Sequence, residues 1–497
     1  MSEARPWRLP DLLAASGVQC KGPVPDISIR QVTDDSRSVE KDALFVAVRG
    51  TRQDGHRFIA QAVDRGARVI VLEEDYPVPA GLFTVRVTST RSDLANLAKV
   101  FFGAPSRGLK MVGVTGTNGK TTVAWLTQHL LERAGVRCGL IGTVCNRVGP
   151  RERPSENTTP GVVALQGLLA QMVKEGLGAC AMEVSSHALD QHRTDGVEWA
   201  CAVFTNLTPE HLDYHVTMER YLQAKLRLFE DLSPSSAAVV NREDPAWERI
   251  RLVTKAPVVT YGFQEGADLV AEEIHCSLEE TACTIRTPEG TFPVAMRLVG
   301  RHNIENLLAA LGAGMSLGIP VKRLLEGAAS FVGVPGRLER IEEGQPFPVF
   351  VDYAHTEEAL RRILTQLRAV TSRRLVVVFG CGGDRDRTKR PRMGRVACEL
   401  ADRIVITSDN PRSENPLDIA REVAAGTRGS TTPCGIIVDR REAIRHALES
   451  ADHRCLILIA GKGHETGQIL GDQIIPFDDR VVVRELLNER APSFFAG

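Results

Sequence analysis

VGVTGTNGKTTVAWLTQHLLERAG, running from Val112 to Gly135, is the stretch on which the fold turns. Apolar and small residues lead into Thr115-Gly116-Thr117-Asn118-Gly119-Lys120-Thr121-Thr122, and apolar residues then recur at Val123, Leu126, Leu130 and Leu131, the spacing of one helix face. The pattern is strand, glycine loop, helix. In such a loop the successive backbone N–H groups, with the positive end of the helix dipole behind them, cradle phosphate; the lysine reaches the outer phosphates and the Thr121 hydroxyl can ligate Mg²⁺. The strict phosphate-loop spacing would put a glycine where Val114 stands, so this is a shorter variant with its glycine at Gly116. On this stretch alone a plain glycine turn stays open as the alternative.

The 497 residues are too many for one core and fit about three domains of common size. Hydrophobic residues at 43% and charged residues at 25% are ordinary for a soluble globular enzyme. With 61 basic and 62 acidic residues the net charge is −1, so no whole-molecule field gathers nucleic acid or anionic lipid. An acidic substrate must be met by local basic clusters. The opening MSEARPWRLPDLL lacks the apolar core of a signal peptide, and no apolar run nears the about 18 residues of a membrane helix, so a cytoplasmic protein with no membrane insertion is expected. None of the eleven cysteines stands in CxxC, and they are expected to be reduced core residues.

Residues 1 to about 92 form a small α/β segment, in which Asp35-Ser36-Arg37 either holds a substrate or closes a turn on its own backbone. A helix from about Ser92 to Phe102 and the loop Gly103-Ala104-Pro105-Ser106 mark the first boundary. The central segment carries a polar loop, Asn157-Thr158-Thr159-Pro160-Gly161, and AMEVSSHALDQHR, Ala181 to Arg193, at a strand end where ligands of α/β sheets bind. Glu183 is a candidate Mg²⁺ carboxylate. FTNLTPEHLDYHVTMERYLQAKLRLF, Phe204 to Phe229, adds His211, Asp213 and His215, whose acidic surroundings disfavour zinc, and Lys225, which reads as one more cation on a helix face. A β-hairpin is expected around Pro288-Glu289-Gly290. Gly300-Arg301-His302-Asn303-Ile304-Glu305-Asn306 opens a helix whose asparagines either cap it or bond a base or ribose.

Gly333-Val334-Pro335-Gly336-Arg337 is the second boundary. Beyond it apolar strands at Val349–Val351, Leu375–Phe379, Ile404–Ile406, Ile436–Val438 and Leu456–Ala460 alternate with helical stretches, which predicts a parallel, doubly wound sheet. Four strand ends carry polar clusters: Asp352-Tyr353-Ala354-His355, Gly380 to Asp386 with Lys389 and Arg390, Asp409-Asn410-Pro411-Arg412, and Gly461 to Glu465. Converging on one edge, they make a crevice for a charged small molecule. GxGxxG is not met, so no redox cofactor is expected.

Together TGTNGKTT, ENTTP, MEVSSHALDQHR, FTNLTPEHLDYH, GRHNIEN, GVPGRLE, VDYAHT, FGCGGDRD, DNPR and GKGHE resemble the Mur ligases, and among them the type that adds the third amino acid of the peptidoglycan stem peptide. The resemblance implies three α/β domains, a UDP-sugar domain over 1–92, a phosphate-loop ATPase over 93–332 and a Rossmann-like domain over 333–497. It implies that Thr115 to Thr122, with Lys120 in the catalytic role, and Asn303, Asn306, Arg337, Asp352 and His355 surround ATP. Ser36, Asn157, Thr158, Thr159, Ser185, Gln191 and Arg193 match positions that hold UDP-MurNAc-L-Ala-D-Glu. One Mg²⁺ would sit with Thr121 and Glu183, a second with His211 and a carbamylated Lys225. The family's DYAHTPD departs here to Glu357 and Glu358 after Thr356.

Relatives carrying DNPR use meso-diaminopimelate, which the resemblance assigns to Arg390, Asp409, Asn410, Pro411, Arg412, Gly461 and Glu465. A planar guanidinium at Arg412 suits the distal carboxylate that lysine lacks. The expected chemistry is phosphorylation of the D-glutamate carboxylate by ATP and attack of the diaminopimelate amine on the acyl phosphate, in a monomer with no nucleic-acid partner. A lysine-adding ligase, a folylpolyglutamate-synthase-like ligase and a nucleotide-binding regulator are the rival readings.

Overall fold

The structure, a computed structural model, describes residues 6–50 and 53–494, so the first five residues of the opening stretch read for a leader lie outside the described residues. By proximity of Cα atoms the chain forms two compact units: Met1–Ala271 with Ile285–Phe292 and Glu305–Ala328, and Glu272–Thr284 with Pro293–Ile304 and Ala329–Gly497.

In the first unit, strands Cys138–Ile141, Ala179–Glu183, Lys110–Thr115, Trp199–Phe204, Ala237–Asn241 and Val258–Gly262 lie side by side in that order, each parallel to the next. Parallel neighbours need crossovers, and helices such as Lys120–Arg133, Val162–Lys174 and Met218–Glu230 supply them. Covered on both faces, these strands are mostly apolar; every residue of Ala179–Glu183 and Ala237–Asn241 is buried. The expected face of Val123, Leu126, Leu130 and Leu131 is fully buried. Strands Thr281–Thr287 and Gly290–Met296 form the hairpin expected from sequence.

The amino-terminal segment has a parallel sheet of its own, Gln31–Thr33, Ala43–Val46, Ala67–Leu72 and Phe83–Arg86. Its closing helix runs Thr90–Phe101, with the Ser89 hydroxyl accepting from Ser92 N as cap.

The second unit holds a sheet in the order Glu339–Ile341, Val349–Asp352, Cys455–Ala460, Arg374–Phe379, Arg403–Ile406, Cys434–Ile436, parallel except for the first strand. Alternation along the strands separates two cores. Val377 and Phe379 pack with Leu360, Leu364 and Met393 on one face, Val376 and Val378 with Ile444, Leu448 and Val483 on the other. That is the doubly wound arrangement expected. The strand expected over Ile436–Val438 lies earlier, at Cys434–Ile436, exposed on the sheet edge. Thr356 caps the helix Glu357–Val370, accepting from Ala359 N. Glu357 and Glu358 then fall in its first turn, where negative charge suits the helix dipole.

All eleven cysteines are unpaired; Cys434 is exposed and three others half-buried, so the core reading holds for seven. Among the described residues no helix is long and apolar enough to cross a membrane.

Helix Asp479–Phe494 is tied down by a fully buried ion pair. Arg440 donates from Nε and Nη2 to Asp479, both at 2.7 Å, and to the carbonyls of Ser408 and Ala460. Removing one partner strands the other charge, so Asp479→Ala is expected to destabilise by about 3–5 kcal/mol, read as a lowered unfolding temperature by calorimetry.

Candidate active site

Parallel strands end on one edge, and that places Thr115, Glu183 and Phe204 beside one another with their loops above. The loop after Lys110–Thr115 is clamped by the loop after Trp199–Phe204. Thr117 N donates to Asn206 O at 2.8 Å, Asn118 N to Asn206 Oδ1 at 2.9 Å, and Thr205 Oγ1 to Asn118 O at 2.6 Å. Gly116 has φ 142°, and a Cβ there would overlap the Thr205 hydroxyl. Gly119, left-handed at φ 88°, turns the chain into the helix at Lys120, and Asn306 Oδ1 would meet a Cβ built on it at 2.6 Å.

Cations crowd this loop. Lys120 Nζ donates to Gly116 O at 3.0 Å and to Thr117 O at 2.7 Å, and Lys225 Nζ donates to Gly116 O at 2.7 Å. Lys225 is therefore no surface cation, as its sequence position alone implied. Its helix turns it inward, 1% exposed, 4.3 Å over the Tyr221 ring, and burial together with the nearby Lys120 charge pushes its amine well below the usual lysine range.

Glu183, 1% exposed, is not a solvated strand end either. Its Oε2 accepts from Thr121 Oγ1 at 2.8 Å and Thr143 Oγ1 at 3.1 Å, and its Oε1 from Thr143 N at 2.7 Å. His211 lies with His187 (ring centroids 4.7 Å), and burial and the neighbouring His211 and His215 charges push His187 down to about 4. A buried carboxylate beside a hydroxyl is a hard-oxygen pair of the kind Mg²⁺ takes.

Thr159, Ser185, Gln191 and Arg193 are brought together: Ser185 N donates to Thr159 Oγ1 at 3.0 Å, and Arg193 donates to Thr159 O at 3.2 Å and to Gln191 Oε1 at 2.7 Å. Thr158 joins them through Thr143, hydroxyl to hydroxyl at 3.0 Å. Asn157 is exposed nearby in sequence. Ser36 is buried and donates to Gln61 Oε1 at 2.8 Å, while Arg37 pairs with Asp35. The Asp-Ser-Arg stretch is thus bonded within its own segment, the turn reading left open above.

In the second unit the four polar strand ends do converge. Gly461 N donates to Asp352 O, Gly383 N to Asn410 O, and Thr407 N to Phe379 O. Gly336, at φ 66°, sits so close to Gly463 and His464 that a Cβ would overlap their backbone. Arg337 lies over the Tyr353 ring at 4.9 Å, with His355 and His464 against the same ring at 4.5 and 4.9 Å. Asp352 accepts from Leu338 N and Ala354 N, so its carboxylate is spent on backbone. Asn303, the third residue of the helix Arg301–Ser316, donates from Nδ2 to Val299 O at 2.9 Å.

Arg390, which the resemblance assigns to the amino-acid pocket, already has acidic partners here. Fully buried, it donates to both oxygens of Glu414 at 2.7 and 2.9 Å and to Glu422 at 2.7 Å, and this pulls the Glu414 carboxyl down to about 2. The sequence named Arg390 but gave no sign of partners 24 and 32 residues away. Arg412 differs. Held at φ 53°, it donates from Nη1 to Gly383 O at 2.8 Å and Asn410 O at 3.4 Å, leaving Nη2 and Nε without a hydrogen-bond partner among the described residues. Glu465 Oε2 accepts from Asn410 Nδ2 at 2.8 Å and Lys462 Nζ at 3.0 Å, leaving Oε1 without one. Thr143, Asn206, Tyr221 and Lys462 were not singled out from sequence. Asn206 and Tyr221 lie inside the quoted stretch Phe204 to Phe229, and Thr143 follows an apolar strand, which was the available signal.

A phosphate loop with an inward lysine beside a buried carboxylate, and a separate crevice offering an unspent guanidinium and carboxylate, define a nucleotide-using enzyme of small charged molecules. The particular family is shown by comparison. Its models match residues 28–101 (Mur ligase family, catalytic domain), 114–314 (Mur ligase middle domain) and 336–463 (Mur ligase, glutamate ligase domain). The chain is 45% identical over 476 residues to the UDP-N-acetylmuramoyl-L-alanyl-D-glutamate--2,6-diaminopimelate ligase of Geobacillus thermodenitrificans, covering 95% of this chain and 96% of that one. To the enzyme of that name from Gloeobacter violaceus it is 45% identical over 485 residues, 97% and 98% of the two chains. A solved structure of a ligase of the same name matches with TM-score 0.72 at 33% identity, over 96% of this chain and 99% of that one. The chain belongs to the Mur ligase family and has its three-domain α/β architecture.

Because Gly116 has no room for a side chain against Thr205, Gly116→Ala is expected to weaken binding of a fluorescent ATP analogue by roughly 100-fold or more, on the order of 3 kcal/mol of overpacking and backbone strain, with the fold retained by circular dichroism.

Proposed function

We propose that this chain is an ATP-dependent ligase that joins meso-diaminopimelate to the D-glutamate carboxyl of UDP-MurNAc-L-Ala-D-Glu in peptidoglycan synthesis. The observation that carries the reading is the pair of unspent groups flanking Asn410: the Arg412 Nε/Nη2 edge and Glu465 Oε1. One offers donors to a carboxylate, the other an acceptor to an ammonium, and the distal end of diaminopimelate carries both. Lysine would leave the guanidinium unpaired. The names of the relatives point to the same substrate.

In this reading Thr115 to Thr122 hold the phosphates of ATP, and Lys120 follows the transferred phosphoryl group with its ammonium. The terminal phosphate passes to the D-glutamate carboxylate, the acyl phosphate is attacked by the diaminopimelate amine, and ADP and phosphate leave. Thr159, Ser185, Gln191 and Arg193, already joined by hydrogen bonds, orient the muramoyl dipeptide, with Ser36 and Asn157 toward its nucleotide end. Asn303, Asn306, Arg337, Asp352 and His355 are assigned to the surroundings of the adenine and phosphates. Thr121 and Glu183 would hold one Mg²⁺, and His211 with carbamylated Lys225 a second. Mg²⁺ supplies positive charge that neutralises the phosphates. Burial favours a neutral Lys225 amine, the form that takes up CO₂. We place the domain boundaries near residues 92 and 332. A monomer, and a cytoplasmic location that suits a UDP-linked substrate, complete this reading.

With ATP, Mg²⁺ and UDP-MurNAc-L-Ala-D-Glu, phosphate release is expected with meso-diaminopimelate and not with L-lysine. Arg412→Ala should lower kcat/KM for diaminopimelate by roughly 10- to 100-fold, the about 1.5–3 kcal/mol of charge-assisted hydrogen bonds; equal turnover of lysine by the wild type would remove the assignment. Under ¹³CO₂ the wild type should show a carbamate carbon signal, absent in Lys225→Arg and fading as pH falls, since protonation removes the nucleophilic amine.

A further inference from the structure

GKGHE contains a lysine that the reaction above does not use. Lys462 follows the strand Cys455–Ala460 directly in the chain and is 0% exposed. An ammonium has three N–H donors, and here each has its acceptor: Asn410 Oδ1 at 3.1 Å, Glu465 Oε2 at 3.0 Å and Gly467 O at 2.7 Å. Asn410 has no rotational choice left, since its Oδ1 also accepts from Ile469 N at 3.0 Å while its Nδ2 donates to Glu465. The hairpin Gly467–Leu470 with Gln473–Pro476 completes the clip. Arg412 N donates to Ile469 O at 3.1 Å, Gly471 N to Arg412 O at 2.8 Å, and Gln468 Nε2 to Asp409 O at 2.6 Å. The left-handed backbone of Arg412, unusual for a residue with a side chain, is pinned on both sides.

We propose that Lys462 is the positioning residue of the amino-acid pocket: its ammonium fixes Asn410 and Glu465 so that Glu465 Oε1 and the Arg412 guanidinium face the substrate as a matched pair. It touches no substrate and acts through Glu465 and Asn410. The proposal rests on the diaminopimelate reading of this pocket.

The test is phosphate release by full-length wild type, Lys462→Met and Asn410→Asp, with KM and kcat for each of the three substrates and the ratio of turnover with diaminopimelate to that with lysine. Loss of the ammonium is expected to raise KM for diaminopimelate by roughly 30-fold or more and to narrow the diaminopimelate-to-lysine ratio. KM for ATP and for the UDP-sugar should stay within about twofold. A lowered unfolding temperature with diaminopimelate KM unchanged would make Lys462 merely structural and overturn the proposal, as would a uniform rise of all three KM values. If Lys462→Met does not fold, the isosteric Asn410→Asp, which sets a carboxylate against Glu465, must show the same selective rise, and unchanged kinetics there overturn it. Wild-type protein that releases no phosphate with diaminopimelate overturns the ligase reading itself, and this proposal with it.

Discussion

The side-chain nitrogens of two lysines share the carbonyl oxygen of Gly116, Lys120 at 3.0 Å and Lys225 at 2.7 Å. Two like charges converging on one acceptor in a buried loop would repel, and burial beside Lys120 relieves the conflict by favouring the neutral amine at Lys225. The register of the parallel strands sets Thr115 beside Phe204, so Thr205 packs onto Gly116 and Asn206 clamps the loop from above. The helix Met218–Glu230 is amphipathic, and burying Tyr221, Leu226 and Phe229 brings Lys225 inward with them. The site thus concentrates positive potential where a polyphosphate would lie, next to one buried carboxylate. Moving any of these three elements would dissolve the constellation.

The second unit works by subtraction. Its buried charges are largely consumed by one another: Arg390 by Glu414 and Glu422, Arg440 by Asp479, Lys462 by Glu465 Oε2. Such pairs contribute little net stability against apolar replacements, yet they fix geometry, because breaking one leaves an uncompensated charge. What the network leaves over at this end of the sheet includes one edge of Arg412 and one oxygen of Glu465. Recognition is therefore decided by which donors remain after the internal bonds are made.

The layout of both sheets was legible in the sequence because periodicity and punctuation are local. Val123, Leu126, Leu130 and Leu131 announced their helix, and apolar strands ending in polar clusters announced the crevice. What the residues hid was pairing across distance. A single lysine on a helix looks alike whether it faces solvent or the phosphate loop, and only strand register distinguishes them for Lys225. Arg390 was assigned to the amino-acid pocket by resemblance, and nothing local announced its partner Glu414, 24 residues further on. For Ser36 the hydroxyl was visible but not its partner Gln61, 25 residues on. The family resemblance supplied a role for Lys225 that spacing alone did not carry, whereas Glu183 was already a candidate Mg²⁺ carboxylate by its place at a strand end.

Backbone strain marks the same logic from another side. Val216, β-branched, exposed and at φ 67°, ψ −43°, closes a γ-turn in which Thr217 N donates to His215 O at 2.7 Å. A β-branched residue in that region costs on the order of 1–3 kcal/mol and persists only where neighbours over-determine it. Here they do: His215 is held to Ser186 Oγ at 3.0 Å on one side, and Thr217 caps the helix of Lys225 on the other. The strained link joins the short helix that follows His211 to the helix that carries Lys225, the two residues that must meet one metal in the proposed reaction. A relaxed turn would let those helices drift independently, so the strain falls where relative position is the functional quantity.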